Sequence, residues 1–341
     1  MNTTIATPID FILDPSLEAS TPREHDGASR SDVRLLVSDK ATSQVSHHWF
    51  SQLPSLLRPG DLLVVNNSAT MAASVPTVQG LRVHFSTELD DDSWLIELRQ
   101  PDGHSHRRYT GGMPGDTLRL PGKTRIRLRE RYSQRLWKVT VTGLGAQRLM
   151  ELYGSPIRYS YVDQDWDLSY YQTVFGSAPG SAEMPSAARP FTPDVVTKLV
   201  SAGIGVRPIT LHTGVSSLEG HELPYPERFE VPEYTAGAVR STRERGGRVI
   251  AVGTTVVRAL ESAVDAEGQV WAAAGLTSHV VTSESGVAVV DGLLTGMHEP
   301  KSTHLAMLEA MSNNVLLRDS YRAAIDQRYL WHEFGDVHLI A

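Results

Sequence analysis

The segment RVIAVGTTVVRALES, residues 248–262, decides the fold class of this chain. Residues 249–252 are continuously apolar, as in a strand buried on both faces, and Val257 and Leu260 follow at helical spacing. Gly253 lies where the strand pattern gives way to the helix pattern. A strand, a glycine turn and a helix in succession predict an α/β fold, in which ligands bind beyond the carboxyl ends of the strands.

The chain outside residues 75–145 continues this alternation of strands and helices. Residues 33–39 and 62–65 are predicted strands, and the unbroken apolar run of the second indicates burial on both faces. Thr192 and the proline after it predict the start of a helix, and Gly203 its end. Further helices are predicted around residues 234–245, 303–313 and 318–328. We therefore expect a mainly parallel or mixed sheet with flanking helices.

Residues 75–145 interrupt this pattern. Short segments such as LRVHFSTEL and RLWKVTVTG alternate polar and apolar residues with a period of two, and turns such as PGD and PGK separate them. Regular short strands of this kind predict an antiparallel β-barrel. The expected organisation is an α/β catalytic domain of residues 1–74 and 146–341, with a β-barrel domain of residues 75–145 inserted into it.

Positive charge is concentrated in one region of an otherwise acidic chain. The formal net charge is -7, yet residues 99–148 alone carry +9, which leaves -16 for the remainder. Four arginines alternate along a predicted strand and therefore share one face of it: Arg125, Arg127, Arg129 and Arg131. This face is either simply solvated or a surface that contacts RNA phosphates.

The composition excludes several classes of protein. The 341 residues contain no cysteine, which rules out disulfide frameworks, thiolate metal sites and cysteine nucleophiles. The histidines match no zinc-binding spacing, so no metal site is predicted. No apolar run has the length of a membrane-spanning helix, and the amino terminus lacks the pattern of a secretory signal. A cytoplasmic enzyme without membrane association is the expected class.

The turn at Gly253 is the first candidate site. A glycine there lets the backbone approach a ligand closely, and the amino terminus of the following helix offers N–H groups to an anion. The hydroxyls of Thr254 and Thr255 either contact a ligand or cap the helix. Arg258 and Glu261 lie on one helical face, where they either hold a zwitterion such as an amino acid or form an exposed ion pair.

Two histidines are candidates for proton transfer, because imidazole titrates near neutral pH. His298 lies in a tight loop, and Ser302 or Thr303 is the predicted cap of the helix that follows it. His212 lies at the end of a predicted strand. A loop histidine is more often incidental than catalytic, so both assignments are hypotheses.

Six segments of the chain match motifs of one enzyme family, in the family's order and over most of the chain. They are RPGDLLVVNNS (58–68), YYQTVF (170–175), ITLHTG (209–214), RVIAVGTTVVRALESA (248–263), VVDGLLTGMHEPKST (289–303) and FGDVHLI (334–340). The segment at 248–263 is highly specific. The chain resembles the S-adenosylmethionine:tRNA ribosyltransferase-isomerase family of queuosine biosynthesis, whose fold is an α/β domain with an inserted β-barrel.

The resemblance implies an unusual use of S-adenosylmethionine. Family enzymes take it as a co-substrate that donates its ribosyl group, and they need no metal or permanently bound cofactor. The acceptor is the aminomethyl group of 7-aminomethyl-7-deazaguanine in the tRNA anticodon loop. The products are epoxyqueuosine-tRNA, adenine and methionine. The route implies a base that removes a proton beside the sulfonium, because that cation acidifies the C–H bond.

The resemblance also implies further residues that bind S-adenosylmethionine or the acceptor. The matched segments add to the residues of the glycine turn and its helix the candidates Asn66, Gln172, Lys301, Ser302 and Asp336. The arginine-rich strand becomes a candidate tRNA-binding surface.

Several loops depart from the family pattern. Where family members have NTRVIPARL, residues 67–75 are NSATMAASV, so both arginines are missing. APTAGLHF is replaced by MPSAARPF at 184–191, which lacks the histidine, and PLPPYI by SPIRY at 155–159. TNFHLP is replaced by TGMHEP at 295–300, which keeps His298. Three functions stay open: the tRNA reaction, the same donor chemistry on a small molecule, and non-catalytic binding of a nucleoside or RNA.

Overall fold

The computed structural model describes residues 9–102, 105–215, 225–300 and 302–341, except the side chains of Ser105 and Thr303. The strands of these ranges are β1 (Arg34–Asp39), β2 (Gln44–Trp49), β3 (Leu62–Asn66), β4 (Ser68–Thr70), β5 (Ser74–Pro76), β6 (Arg82–Glu88), β7 (Trp94–Asp102), β8 (Ser105–Arg108), β9 (Thr117–Arg119), β10 (Arg125–Arg131), β11 (Leu136–Thr142), β12 (Ala178–Ser181), β13 (Gly205–Leu211), β14 (Glu227–Val231), β15 (Val249–Val252), β16 (Ala273–Thr277), β17 (Gly292–Gly296) and β18 (Val337–Ile340). The helices are α1 (Leu53–Leu56), α2 (Ala146–Tyr153), α3 (Pro193–Ser201), α4 (Glu233–Glu244), α5 (Thr254–Glu261), α6 (Thr303–Met311) and α7 (Asn314–Asp326).

Nine of the described strands form one large mixed sheet, in the order β16–β14–β13–β3–β15–β17–β18–β1–β2. Its centre, β13–β3–β15–β17, is parallel. Antiparallel pairs flank this centre on both sides, and β1 lies parallel to β18. The predicted mixed α/β class is therefore confirmed.

The central strands are buried on both faces, as their unbroken apolar runs predict. In β3, Leu62 and Val64 belong to the hydrophobic core that includes α4 and α5. Leu63 and Val65 point the other way, into the core that includes α1 and α3. Successive side chains of a strand alternate between faces, so helices must cover both sides of this sheet.

Helix α3 begins at its predicted signals, whereas α7 begins at Asn314, four residues before the predicted start at 318. The Thr192 hydroxyl accepts a hydrogen bond from the N–H of Val195 at 3.3 Å, and Pro193 is the first residue of α3. Gly203 follows the end of α3 with a left-handed φ of 77°. Within the described ranges, none of the helices combines the length and apolar character that crossing a bilayer requires.

A second, antiparallel sheet is formed between residues 74 and 142. Its order is β5–β6–β7–β11–β10–β9, and β8 pairs with β7. It encloses a core of its own, in which Phe85, Trp94 and Trp137 are the largest side chains. The predicted antiparallel strands are confirmed. Because the order of the described strands runs from one open edge to another, closure into a barrel and its insertion as a separate domain stay predictions.

Asp336, a candidate binding residue, lies directly before β18 and is fully buried. Its carboxylate accepts hydrogen bonds from the backbone N–H groups of Arg34 at 2.7 Å and Leu330 at 2.8 Å. It also forms an ion pair with the Arg34 side chain at 2.9 Å. The structure therefore shows Asp336 joining β1 to the loop before β18.

We expect Asp336→Ala to lower the free energy of unfolding by roughly 3 kcal/mol, because it leaves buried donors without their acceptor. Asp194→Ala is the matched control, since its ion pair with Lys198 on α3 is exposed and contributes less than about 1 kcal/mol. Urea unfolding of both variants measures the difference. Equal losses would contradict the framework role of Asp336.

Candidate functional site

A cavity of about 570 Å³ lies at the carboxyl ends of the central parallel strands. Thr213 after β13, Gly253 after β15 and Met297 after β17 all line it. This is the edge of an α/β sheet at which ligands are expected, and the volume is that of a small-molecule pocket.

The Gly253 turn faces this cavity. Gly253 has φ 98° and ψ 151°, a backbone conformation that side-chain-bearing residues rarely adopt. Its N–H donates to the carbonyl of Leu294 at 2.8 Å, which joins the turn to β17. Thr254 and Thr255, in the first turn of α5, also line the cavity. The structure thus brings these three candidates together, and their contact with a ligand stays a prediction.

Arg258 and Glu261 do not act together, contrary to the interpretation that they hold one zwitterion. The Arg258 guanidinium forms a buried ion pair with Glu227. Glu261 instead accepts hydrogen bonds from the N–H groups of Ala288 at 2.8 Å and Val289 at 3.0 Å. Arg258 lines a second cavity of about 80 Å³, which adjoins the first at the start of α5. Both side chains therefore have partners within the protein.

Asn66 and Gln172 form hydrogen bonds with the backbone next to the cavity. The Asn66 amide exchanges hydrogen bonds with the backbone of Leu211 at 3.0 and 2.8 Å and donates to Thr255 Oγ1 at 3.3 Å. The Gln172 amide pairs with the backbone N–H and carbonyl of Thr70 at 3.1 and 2.8 Å. Neither is among the described residues that line the larger cavity. Their amides fix the backbone beside it.

His298 lines the cavity, as does Ser302, which caps α6. The Nε2 atom of His298 lies 2.7 Å from the Thr295 hydroxyl, and its ring stacks on that of His304 at 4.8 Å. Burial lowers the pKa of His298 well below its usual value and that of His304 to about 4. Both rings are therefore neutral at neutral pH. Lys301 lies outside the described residues.

His212 lies behind the cavity wall rather than in the described lining. Its Nδ1 atom is 2.7 Å from the hydroxyl oxygen of Ser68. A Cβ atom at Gly180 would come within 2.3 Å of the same nitrogen, so β12 packs directly against the ring. Burial lowers the pKa of His212. The structure separates it from His298, the other predicted proton-transfer residue.

Three residues that the sequence did not indicate form a linked group in the cavity wall. The rings of Tyr161 and His332 stack at 3.9 Å, and the Tyr161 hydroxyl donates to the Glu333 carboxylate. His332 has a left-handed backbone with φ 71°. Its Nε2 lies 3.5 Å from Glu18 Oε1 and its Nδ1 3.9 Å from Glu299 Oε1. A strained backbone beside a cavity is common at functional sites.

Burial dominates the titration of this group. It raises the pKa of Glu333 to about 7 and that of Tyr161 well above its usual value. It lowers the pKa of His332, although Glu18 and Glu299 act in the opposite direction. Glu333 is therefore about half protonated at neutral pH, where it can give or take a proton.

Some polar atoms of the lining are not satisfied by the protein. Among the described residues, Arg99 Nε and Thr213 Oγ1 are buried without a hydrogen bond, and both residues line the cavity. Buried polar groups are usually paired, so these atoms suit a polar ligand. No group of three or more described His, Asp or Glu residues is arranged to hold a metal ion.

The arginines of β10 lie apart from the cavity lining. Arg125, Arg127 and Arg129 are exposed. The Arg131 guanidinium packs over the Trp137 ring at 4.4 Å and donates to the Thr110 carbonyl at 2.6 Å. Contact of this strand with RNA stays a prediction.

A protein-family model described as "Queuosine biosynthesis protein" matches residues 7–340. The chain belongs to this family. An S-adenosylmethionine:tRNA ribosyltransferase-isomerase of Natranaerobius thermophilus is 32% identical over 331 residues, which cover 92% of this chain and 94% of the relative. One from Geobacter sulfurreducens is 31% identical, over 98% of this chain and 99% of the relative. The family resemblance seen in the six segments is confirmed.

The fold of this chain is also similar to that of a solved structure. The crystal structure of S-adenosylmethionine tRNA ribosyltransferase from Thermotoga maritima matches it with a TM-score of 0.56 at 26% identity. The match covers 97% of this chain and 99% of the other. The likeness therefore extends over nearly the whole chain.

We expect Glu333→Gln to stabilise the protein at high pH but not at low pH. Burial raises the pKa of Glu333 from 4.5 to about 7, so folding becomes less favourable as pH rises through this window, in which the unfolded chain loses the proton first. Above pH 7 the cost approaches about 3 kcal/mol, and uncharged glutamine removes it. Urea unfolding between pH 4 and 8.5 measures the difference from the parent. A difference independent of pH would contradict the shift.

Proposed function

We propose that this chain transfers the ribosyl group of S-adenosylmethionine to tRNA and isomerises it. The observation that carries the proposal is the convergence of two matched segments, 248–263 and 289–303, on one cavity of small-molecule size. Relatives that bear the name of this enzyme match the chain over nearly its full length. The unpaired polar atoms of the lining support a polar ligand there.

The proposed acceptor is the aminomethyl group of 7-aminomethyl-7-deazaguanine in tRNA. The products are then epoxyqueuosine-tRNA, adenine and methionine. S-adenosylmethionine is a co-substrate, and we assign no permanently bound cofactor. Because the other substrate is tRNA, the proposed place of action is the cytoplasm. A small-molecule acceptor and a non-catalytic role are not favoured, since the relatives' names specify tRNA and transfer.

The start of α5 is the proposed contact for the donor. Its backbone N–H groups and the hydroxyls of Thr254 and Thr255 suit the carboxylate of the methionine moiety, because a helix amino terminus attracts anions. Ser302 contributes a further hydroxyl from the opposite loop. We propose supporting rather than contacting roles for the candidates whose polar atoms are held by the protein: Asn66, Gln172, Arg258, Glu261 and Asp336.

His298 and His332 are the proposed proton-transfer residues. Isomerisation of the ribosyl group requires loss of a proton from carbon, and the adjacent sulfonium acidifies that C–H bond. The bond breaks, its electron pair stays on the carbon, and the proton moves to an imidazole nitrogen. Both rings line the cavity and both are neutral at neutral pH, as a base must be. His212 is proposed to position Ser68 instead.

Protein mixed with S-adenosylmethionine and tRNA that carries 7-aminomethyl-7-deazaguanine should release adenine and methionine in equal amounts. Unmodified tRNA, or S-adenosylmethionine alone, should give no release, because no acceptor amine is present. Chromatography of the small products measures both. Release without tRNA would point to a small-molecule acceptor, and no release under any condition would contradict a catalytic function.

His332→Gln should lower kcat about 100-fold or more, since a positioned base contributes roughly 10²–10⁴-fold. Its dissociation constant for S-adenosylmethionine should stay within about threefold, as proton transfer follows binding. His48→Gln on β2 is the matched control, because that ring bonds locally to Ser46 at 2.9 Å. Full turnover by His332→Gln would leave His298 as the proposed base.

A further inference from the structure

Arg99 of β7, Arg158 of the loop after α2 and His106 of β8 line one end of the cavity. The two guanidinium groups are positive, whereas burial and the neighbouring arginines lower the pKa of His106, so its ring is neutral at neutral pH. Arg82 of β6 lies beside them, since its charge acts on His106 together with those of Arg99 and Arg158. We call these four residues the basic end.

Arg82 is held by neutral groups. Its guanidinium donates to the Ser74 hydroxyl at 2.7 Å, the Ser74 carbonyl at 2.9 Å and the Ser155 hydroxyl at 2.6 Å. None of these oxygens carries a formal charge. These contacts therefore fix the direction of the Arg82 guanidinium without neutralising its charge. A carboxylate does lie nearby, since the exposed Asp165 forms an ion pair with Arg158 at 3.3 Å and also acts on Arg82, but one carboxylate does not offset the three arginines of the basic end together.

The guanidinium of Arg99 has one N–H donor that the protein does not use. Its Nη1 pairs with Glu97 at 3.2 Å and its Nη2 donates to the carbonyl of His106 at 2.5 Å, while its Nε is buried without a hydrogen bond. Arg135 also pairs with Glu97, at 3.2 Å, so that one buried carboxylate serves both arginines. An unsatisfied arginine donor beside a cavity suits an anion, because charge-assisted hydrogen bonds are strong there.

The lining also carries acidic side chains. Glu18, Glu299 and Glu333 lie around His332. Carboxylates repel a phosphate and attract a cation such as a sulfonium. The carboxylates around His332 therefore suit the cationic donor, whereas the arginines suit an anionic group.

We propose that the basic end binds a backbone phosphate of the tRNA acceptor and so sets the direction in which the target nucleotide enters the cavity. The inference rests on the proposed function and adds a phosphate subsite to it. The planar fork of arginine matches phosphate oxygens, and Arg99 and Arg158 both face the cavity. This subsite is separate from the exposed arginines of β10, which do not line it.

Three double variants that each remove two positive charges test the proposal. Arg99→Gln with Arg158→Gln changes the basic end, Arg125→Gln with Arg127→Gln changes β10, and Arg243→Gln with Arg245→Gln at the exposed end of α4 is the control. Affinity for tRNA is measured at several salt concentrations, beside affinity for S-adenosylmethionine. In the basic-end variant the slope of log affinity against log salt should fall by about 1, with S-adenosylmethionine binding retained. The α4 control should keep the wild-type slope.

An unchanged slope in the basic-end variant would overturn the proposal, whatever the β10 variant shows. Arg158→Lys keeps the charge and should retain most of the slope, and retained binding of S-adenosylmethionine shows that the basic-end variant is folded. Inorganic phosphate and guanosine monophosphate are the probes for a free anion. The RNA assignment would be overturned if either probe, at a concentration near that of the tRNA, displaced tRNA from the wild-type protein but not from the basic-end variant. Failure of the proposed function is measured by a separate assay, in which the wild-type protein would release no adenine in the presence of tRNA.

Discussion

Burial of the central strands on both faces is the constraint on which the rest of the structure depends. Because β3 and β15 have helices on either side, neither strand can present polar groups to a ligand along its length. Polar chemistry is therefore confined to the strand ends. At the carboxyl end of β15, the positive φ of Gly253 turns the chain directly into α5 and opens that edge to the cavity.

The same burial explains why several polar residues of the matched segments do not meet the cavity. Groups enclosed at low dielectric must be paired, and the nearest partners are backbone and side chains of the protein itself. Asn66 forms a hydrogen bond with the backbone of Leu211, while Arg258 forms an ion pair with Glu227 and Asp336 with Arg34. These contacts stabilise the backbone and loops around the cavity. Atoms available to a ligand are instead those that the protein leaves unpaired, such as Arg99 Nε.

Electrostatics divide the cavity into regions with different roles. Burial keeps His298 and His332 neutral, which preserves their capacity to accept a proton, and it keeps Glu333 near half protonation. In the proposed reaction the donor is a cation and the acceptor RNA is an anion. The carboxylates of the lining suit the cationic donor and its arginines suit the anionic acceptor, so the two substrates need not compete for the same groups.

The sequence by itself determined the α/β class, the buried strands, the start of α3 and the turn at Gly253. Each of these depends on neighbours in the chain: an apolar run, a capping residue or a glycine between two patterns. Its ordered motifs also determined the family. These signals are local, or are matched segment by segment, and need no knowledge of packing.

Only the tertiary structure decided which side chains meet. Glu227 replaced Glu261 as the partner of Arg258, His212 came to lie behind the wall, and the pair His332 and Glu333 joined the site with Tyr161. The basic end likewise combines strands of the small sheet with a loop beyond α2. Such contacts join residues far apart in the chain, and no periodicity or spacing encodes them, because they arise from the way the sheets and loops pack.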